Sequence, residues 1–149
     1  LGTQCGRDII HPNIWINALF SEYRSSCDFN KNLPKNDNWI ITDCRFVNEA
    51  KAISYREGIN IRVIRPIKYR FPKLWEIYTT YESNLAINDS NFMLWLATYD
   101  RDMYNTLTHT SETDLNSFKF NYEIKNDSTI ENLISQVRQI LILEGILTQ

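Results

Sequence analysis

The most informative segment of the chain reads Trp39-Ile40-Ile41-Thr42-Asp43-Cys44-Arg45-Phe46-Val47-Asn48-Glu49-Ala50. Its first four residues form an apolar, β-branched run that predicts a strand buried on both faces of a parallel sheet. Residues 48–57 then predict a helix with Gly58 as its carboxyl-terminal cap, and residues 60–64 predict a second strand. Strand, helix and strand joined by short connections indicate a βαβ unit, whose strands run parallel.

The flanking segments extend this α/β pattern. Apolar residues at helical spacing predict a helix over residues 12–25, and the polar stretch at residues 25–38 predicts a loop. Alternating apolar and polar residues predict a strand over residues 118–124. A capping box formed by Ser128 and Glu131 then begins a strongly periodic closing helix. We therefore expect a parallel sheet flanked by helices.

Length and composition predict a single α/β domain over residues 1–149. The chain is 43% hydrophobic and has only four Gly and four Pro, which excludes a disordered or low-complexity protein. Residues 67–108 are aromatic and polar and contain two expected helices. We interpret this stretch as a helical lid inserted into a core of residues 1–66 and 109–149.

Charge and cysteine content limit the classes of partner and metal site that the chain is expected to have. The formal net charge of -2 and the lack of a long basic run disfavour a nucleic-acid partner. The cysteines Cys5, Cys27 and Cys44 are widely spaced, which predicts no metal cage and no redox dithiol and is typical of a reducing compartment. No apolar run approaches the roughly 18 residues that a membrane span needs. We expect neither a nucleic acid nor a membrane as partner.

The strongest candidate site follows the first predicted strand. An Asp43 carboxylate at the carboxyl end of a buried parallel strand lies where open α/β sheets bind ligands. The Arg45 guanidinium can grip a phosphate there, and Glu49, one turn into the next helix, can accept a hydrogen bond from substrate or steady Arg45. The alternative is structural, with Asp43 capping the helix and pairing with Arg45.

Two further clusters are candidates. Gly2 and Gly6 beside Arg7 suit a close backbone approach to an anion, although a flexible terminus is the simpler explanation of this pattern. Arg101 can reach a transferring phosphoryl group or form a solvated ion pair with its acidic neighbours. The segment that begins at His109 lacks the nucleophile elbow of a hydrolase.

These pieces, in this order, resemble one known family. The chain reads L-G-T-Q-x-G-R-D from Leu1, P-x-x-W from Pro12, I-I-T-D-C-R-F-x-N-E-A from Ile40, I-x-V-I-R from Ile61, H-T-S-E from His109 and Y-E-I-K-N-D-S-T-I-E-N-L from Tyr122. This succession resembles the deoxynucleoside monophosphate kinases of bacteriophages and, more distantly, the animal phosphomevalonate kinases. It covers most of the chain outside residues 67–108.

The resemblance implies a P-loop nucleotide kinase in the cytoplasm of a bacterium or a phage-infected host. Such an enzyme uses ATP and Mg²⁺ to phosphorylate a deoxynucleoside monophosphate to the diphosphate, chiefly by positioning and charge neutralisation. By motif match, Gln4 and Arg7 hold the acceptor nucleotide. Arg45 grips its phosphate as a catalytic residue, and Asp43 is catalytic beside the metal ion.

The remaining roles implied by the resemblance lie in the second half of the chain. Arg101 approaches the reacting phosphates from the lid as a catalytic residue. His109, Ser111 and Glu112 order the return from lid to core and contact substrate. Asn126, at a strand-to-helix turn, lies near the ATP base.

The chain departs from the family in one respect. The family has a strand and a G-x-x-x-x-G-K-[ST] loop ahead of the region that opens here, and these 149 residues contain no such loop. That strand lies inside the sheet, so its loss leaves neighbouring strands with unpaired edges. We expect a fragment or half of a split enzyme, forming a homodimer or associating with the missing amino-terminal segment. A non-catalytic nucleotide-binding remnant and a phosphomevalonate-kinase-like enzyme stay open as alternatives.

The isolated chain is expected not to bind ATP with micromolar affinity, because a triphosphate needs the backbone N–H groups of a phosphate-binding loop. Isothermal titration calorimetry of the 149-residue chain with ATP and Mg²⁺ measures this affinity. A micromolar dissociation constant would contradict the expectation.

Overall fold

The computed structural model describes residues 2–21, 23, 39–82 and 86–148, with side chains from Cys5 onward. Its elements, in chain order, are a π-helix at Gly2–Ile10, α1 at Ile14–Leu19, α2 at Val47–Tyr55, β1 at Ile61–Ile64, α3 at Ile67–Arg70, α4 at Pro72–Tyr81, α5 at Asp89–Tyr99, α6 at Arg101–Leu107, α7 at Thr110–Thr113, a 3₁₀ turn at Asp114–Ser117, β2 at Tyr122–Lys125 and α8 at Ile130–Leu143. These helices and the small parallel sheet confirm a mixed α/β class. None of the helices within the described ranges is long and apolar enough to cross a membrane.

The described chain divides into two compact units, Leu1–Ile59 and Asn60–Gln149. The expected division into one core and one lid uses different boundaries and stays a prediction. The loop expected at residues 25–38 lies outside the described residues.

The first unit begins with the π-helix and α1, which pack through Gly6 and Trp15. A Cβ atom added to Gly6 would meet the Trp15 ring at 2.8 Å, so the small residue makes room for that side chain. α1 is shorter than the helix expected over residues 12–25. The Ser21 hydroxyl donates a hydrogen bond of 2.8 Å to the Ala18 carbonyl, and such a local bond competes with continuation of the helix.

The strand predicted at residues 39–42 is wrong. This segment has no regular secondary structure, and it pairs with no strand in the described part of the chain. The apolar run indicated burial on both faces, yet Ile40 is 88% exposed and Trp39 is 41% exposed. A strand needs a neighbour to satisfy its backbone groups. The βαβ unit inferred from residues 39–64 is therefore also wrong in its first strand.

Gly58 was predicted to be the carboxyl-terminal cap of α2, and the end of the helix differs from that prediction. The residue with positive φ after the helix is Glu57, at 60°. Gly58 is needed for space instead, because an added Cβ would lie 2.6 Å from Cγ2 of Ile53. Its N–H group donates to the Ile53 carbonyl at 3.0 Å and closes the helix.

The second unit contains the sheet, in which β1 and β2 pair in parallel with Ile61 opposite Tyr122 and Ile64 opposite Lys125. Both strands were predicted, although β2 begins later than the expected strand at residues 118–124. The buried Asn60 begins the pairing, since its N–H group donates to Oδ1 of Asn121 at 2.8 Å. Among the described residues, β1 pairs with β2 alone.

α8 confirms the predicted closing helix and packs beside β2. Its N-cap is Thr129, which accepts from the Asn132 N–H group at 3.3 Å, one residue later than the expected cap. The Gln136 side-chain amide bonds both backbone groups of Lys125. It accepts from the N–H group and donates to the carbonyl, each at 2.9 Å.

The main buried cluster lies in the helices between the two strands. Tyr78, Phe92 and Leu96 are fully buried, and Trp95 completes the cluster. The rings of Tyr78 and Phe92 meet edge to face with centroids 5.5 Å apart, a favoured aromatic geometry. The segment interpreted from sequence as a helical insertion thus has an aromatic core of its own.

Phe92→Ala should lower the free energy of unfolding by about 3–5 kcal/mol, because it removes a fully buried ring from this core. Leu94→Ala, in the same helix, is the matched control. Leu94 is 66% exposed, so we expect a loss below about 1 kcal/mol. Urea unfolding measured by tryptophan fluorescence compares the two variants. Equal losses would contradict the assignment of Phe92 to the core.

Candidate functional site

The Arg7 side chain is held in place by three neighbours in the first unit. Its Nη1 donates to Oε1 of Glu49 at 3.0 Å, and its Nη2 donates to Oδ1 of Asn48 at 2.9 Å. Its Cζ lies 3.6 Å from the centroid of the Phe46 ring, a cation–π contact. The Arg7 side chain is only 14% exposed. A guanidinium has five N–H groups, so three of those on Arg7 donate to no described residue.

Glu49 uses both carboxylate oxygens within the protein. While Oε1 accepts from Arg7, Oε2 accepts from the backbone N–H groups of Arg45 and Phe46 at 2.9 and 3.1 Å. An acid at this position satisfies N–H groups that have no helical partner at the start of α2. The Glu49 carboxylate therefore joins the π-helix to α2. Its oxygens face protein donors, so its geometry favours the role of steadying the arginines over direct substrate contact.

Asp43 and Arg45 form an ion pair that is open to solvent. Nε of Arg45 lies 2.5 Å from Oδ1 of Asp43, and the two side chains are 51% and 74% exposed. Exposed pairs of this kind contribute about 0–1 kcal/mol. Hydrogen bonds to a charged phosphate contribute about 1.5–3 kcal/mol, so an incoming phosphate can displace Asp43 from Arg45.

A cavity of about 70 Å³ adjoins these groups. Its walls are apolar side chains of α1 and α2 together with Ile41, and its polar lining is Asp43, Cys44 and Glu49. The pKa of the Cys44 thiol is raised to about 11, mainly by burial and in smaller part by the negative charges of Glu49 and Asp43. The cavity is therefore an apolar recess with a negatively charged lining.

Arg7 and Arg45 each offer guanidinium N–H groups that suit a phosphate, whereas the fit of the site to ATP and Mg²⁺ is partial. Mg²⁺ in phosphoryl-transfer sites uses one or two carboxylates with water and phosphate oxygens, and Asp43 offers one such carboxylate. The described residues contain no group of three or more His, Cys, Asp or Glu that suits a metal ion. Gly6 and Gly58 abut side chains, so neither lines an open loop for a triphosphate.

The second unit contains the other predicted site residues that the structure describes. Nδ1 of His109 accepts from the Ser111 N–H group at 3.2 Å and lies 2.9 Å from the Ser111 hydroxyl. These contacts make His109 the N-cap of α7. Glu112 lies 3.8 Å from the Arg70 guanidinium. The Arg101 side chain is exposed, with its Cζ 5.7 Å from the Tyr104 ring centroid. The roles predicted for these residues stay predictions.

Asn126 lies at the carboxyl end of β2, as its predicted position at a strand-to-helix turn requires. Its Oδ1 accepts from Nη1 of Arg65 at 3.1 Å, and its N–H group donates to the Ile64 carbonyl at 2.8 Å. Arg65 follows β1 directly, so the two residues meet at the sheet edge where parallel strands present ligand-binding groups.

The structure brings together Arg7, Arg45 and Glu49, three of the residues predicted from sequence, through the Glu49 carboxylate. No role is predicted from sequence for Asn48 or Arg65. The place of Arg65 directly after β1 is a signal that could have indicated one. The Gln4 side chain lies outside the described side chains. The backbone approach to an anion expected at Gly6 is replaced by packing against Trp15.

Cys44 should react slowly with iodoacetamide at pH 8. A thiol with a pKa of about 11 is about 0.1% thiolate at that pH, against roughly a quarter for an ordinary thiol. Peptide mass spectrometry compares Cys44 with the exposed Cys5 in the same sample. In Asp43→Asn, one raising charge is lost, so Cys44 should react faster but still more slowly than Cys5. Equal rates in the unmodified chain would contradict the burial of Cys44.

Comparison of the chain with family models, with curated proteins and with solved structures found no match in any of the three. Functional inference therefore depends on the contacts described above and on the motif resemblance. The first unit offers the stronger basis, because it joins two of the resembling motifs in one cluster.

Proposed function

We propose that this chain binds a deoxynucleoside monophosphate and forms the acceptor-binding part of a deoxynucleoside monophosphate kinase. Arg7 and Arg45 are the phosphate-binding residues of the proposed site, and Asp43 is the carboxylate beside the metal ion. The acceptor is phosphorylated at the expense of ATP, and Mg²⁺, when bound, neutralises charge on the phosphate oxygens.

One observation carries this proposal. Arg7 and Glu49 are 42 positions apart in the chain, and their side chains form an ion pair of 3.0 Å. Each belongs to a different one of the motifs that carry the family resemblance. This contact supports a shared role for the two motifs in one site. It places a nearly buried guanidinium from one motif against a carboxylate from the other.

The two arginines differ in a way that suits phosphate binding. Arg7 is fixed by Asn48 and Glu49 and keeps three N–H groups that no described residue uses. Arg45 is exposed, and its ion pair with Asp43 is weak enough for a phosphate to replace. A fixed donor set positions the phosphate, and the exposed Arg45 side chain adds a second positive charge, as phosphoryl transfer by positioning and charge neutralisation requires.

The cavity supports a nucleotide acceptor over an acidic isoprenoid one. Asp43 and Glu49 line the recess next to the phosphate-binding arginines. They would repel the carboxylate that a substrate such as phosphomevalonate carries in addition to its phosphate. The apolar walls formed by α1 and α2 are compatible with an uncharged ring.

The P-loop kinase fold is part of the proposal. The resemblance implies that an interior strand of the sheet is missing from these 149 residues, which leaves its neighbours unpaired. The irregular conformation of residues 39–42 and the single strand partner of β1 among the described residues are compatible with that implication.

Arg45→Ala should weaken binding of deoxynucleoside monophosphates by about tenfold, the effect of losing one charge-assisted hydrogen bond worth about 1.4 kcal/mol. Phosphorus NMR titration of the chain with dTMP, dGMP and dCMP measures the dissociation constants. Arg138→Ala is the matched control, because it removes the same charge from an exposed position on α8.

Absence of binding to every deoxynucleoside monophosphate would refute the proposal. Tighter binding of phosphomevalonate than of the nucleotides would replace the acceptor with the isoprenoid class. Equal losses in Arg45→Ala and Arg138→Ala would mean that only net charge is sensed, and Arg45 would then leave the site.

A further inference from the structure

Both polar groups of the Asn48 side chain form hydrogen bonds, and they reach three other residues of the first unit. Its Oδ1 accepts from Nη2 of Arg7 at 2.9 Å. Its Nδ2 donates to the Pro12 carbonyl at 3.1 Å and to Oδ1 of Asn13 at 2.8 Å. One amide therefore ties the start of α2 to the π-helix and to the turn that precedes α1.

These contacts determine which way the Asn48 amide faces. The Pro12 carbonyl can only accept a hydrogen bond, so the group that faces it must be the Nδ2 donor. A flipped amide would place Oδ1 against that carbonyl and Nδ2 against the Arg7 guanidinium, which can only donate. Oδ1 is thus committed to Arg7.

Asn48 and Glu49 together fix the rotation of the Arg7 guanidinium. They are consecutive residues, and each takes one of its two terminal nitrogens, while the Phe46 ring lies against the guanidinium at 3.6 Å. If the Asn48 acceptor is removed, the ion pair between Arg7 and Glu49 persists, but the plane of the guanidinium can turn about that remaining bond. The unused N–H groups then no longer point in one direction.

We infer that Asn48 is a positioning residue, which orients the Arg7 guanidinium so that its unused N–H groups meet the phosphate of the acceptor nucleotide. The identity of the ligand in this role, a nucleotide phosphate, rests on the proposed function. Asn48 touches Arg7 and not the reacting atoms, so its effect on binding passes through the orientation of Arg7.

Asn48→Ala removes the Arg7 contact together with the contacts to Pro12 and Asn13. Asn13→Ala is the matched control, because it removes one structural contact of the same amide and leaves Oδ1 on Arg7. Two readouts are taken on the full chain. One is the dissociation constant of dTMP, dGMP and dCMP from phosphorus NMR. The other is the nitrogen-15 NMR signal of the Arg7 side chain without ligand, assigned with Arg7→Lys.

In Asn48→Ala we expect nucleotide binding to weaken by about tenfold and the guanidinium of Arg7 to rotate faster. Asn13→Ala should change the binding constant by less than about twofold and leave the Arg7 signal unaltered. Equal weakening in both variants, or an unchanged Arg7 signal in Asn48→Ala, would overturn the positioning role. If the unaltered chain binds none of these nucleotides, the proposed function fails, and the Arg7 signal alone still decides whether Asn48 orients it.

Discussion

The first unit depends on the Glu49 carboxylate, whose two oxygens satisfy a guanidinium from the π-helix and two N–H groups at the start of α2. The Arg7 and Glu49 side chains are 14% and 18% exposed, so either one alone would be a poorly solvated charge. Removing Glu49 would break one of the two hydrogen bonds that hold Arg7 and would also uncap α2. The structure and the proposed phosphate site of this unit therefore share one group.

The second unit is stabilised in a different way, by apolar packing. Its fully buried large side chains Tyr78, Phe92 and Leu96 lie in α4 and α5, outside the sheet. Within the described residues the sheet has two short strands, and its support there comes from α8 and from the Asn60–Asn121 contact. The helical segment between the strands consequently carries more of the buried apolar surface than the sheet that it interrupts.

Sequence patterns predicted an element correctly where that element forms its hydrogen bonds within itself. α8 was predictable because its periodic apolar residues and Thr129 cap act within one helix. Residues 39–42 carry the same composition as a strand, but a strand needs a partner that composition does not reveal. The Arg7–Glu49 contact spans 42 positions, so only the motif resemblance brought the two residues to one site. The role of Asn48 depends on which atoms its amide faces, which spacing alone cannot determine.

The Gln136 amide on the outer edge of β2 has a consequence for assembly. Tyr122 and Asn126 direct their N–H groups toward β1, so the intervening Lys125 directs its backbone groups away from it. Gln136 bonds both of those groups as the peptide of a third strand would. A foreign strand approaching at Lys125 finds both backbone groups of that residue already occupied, a form of protection against edge-to-edge aggregation.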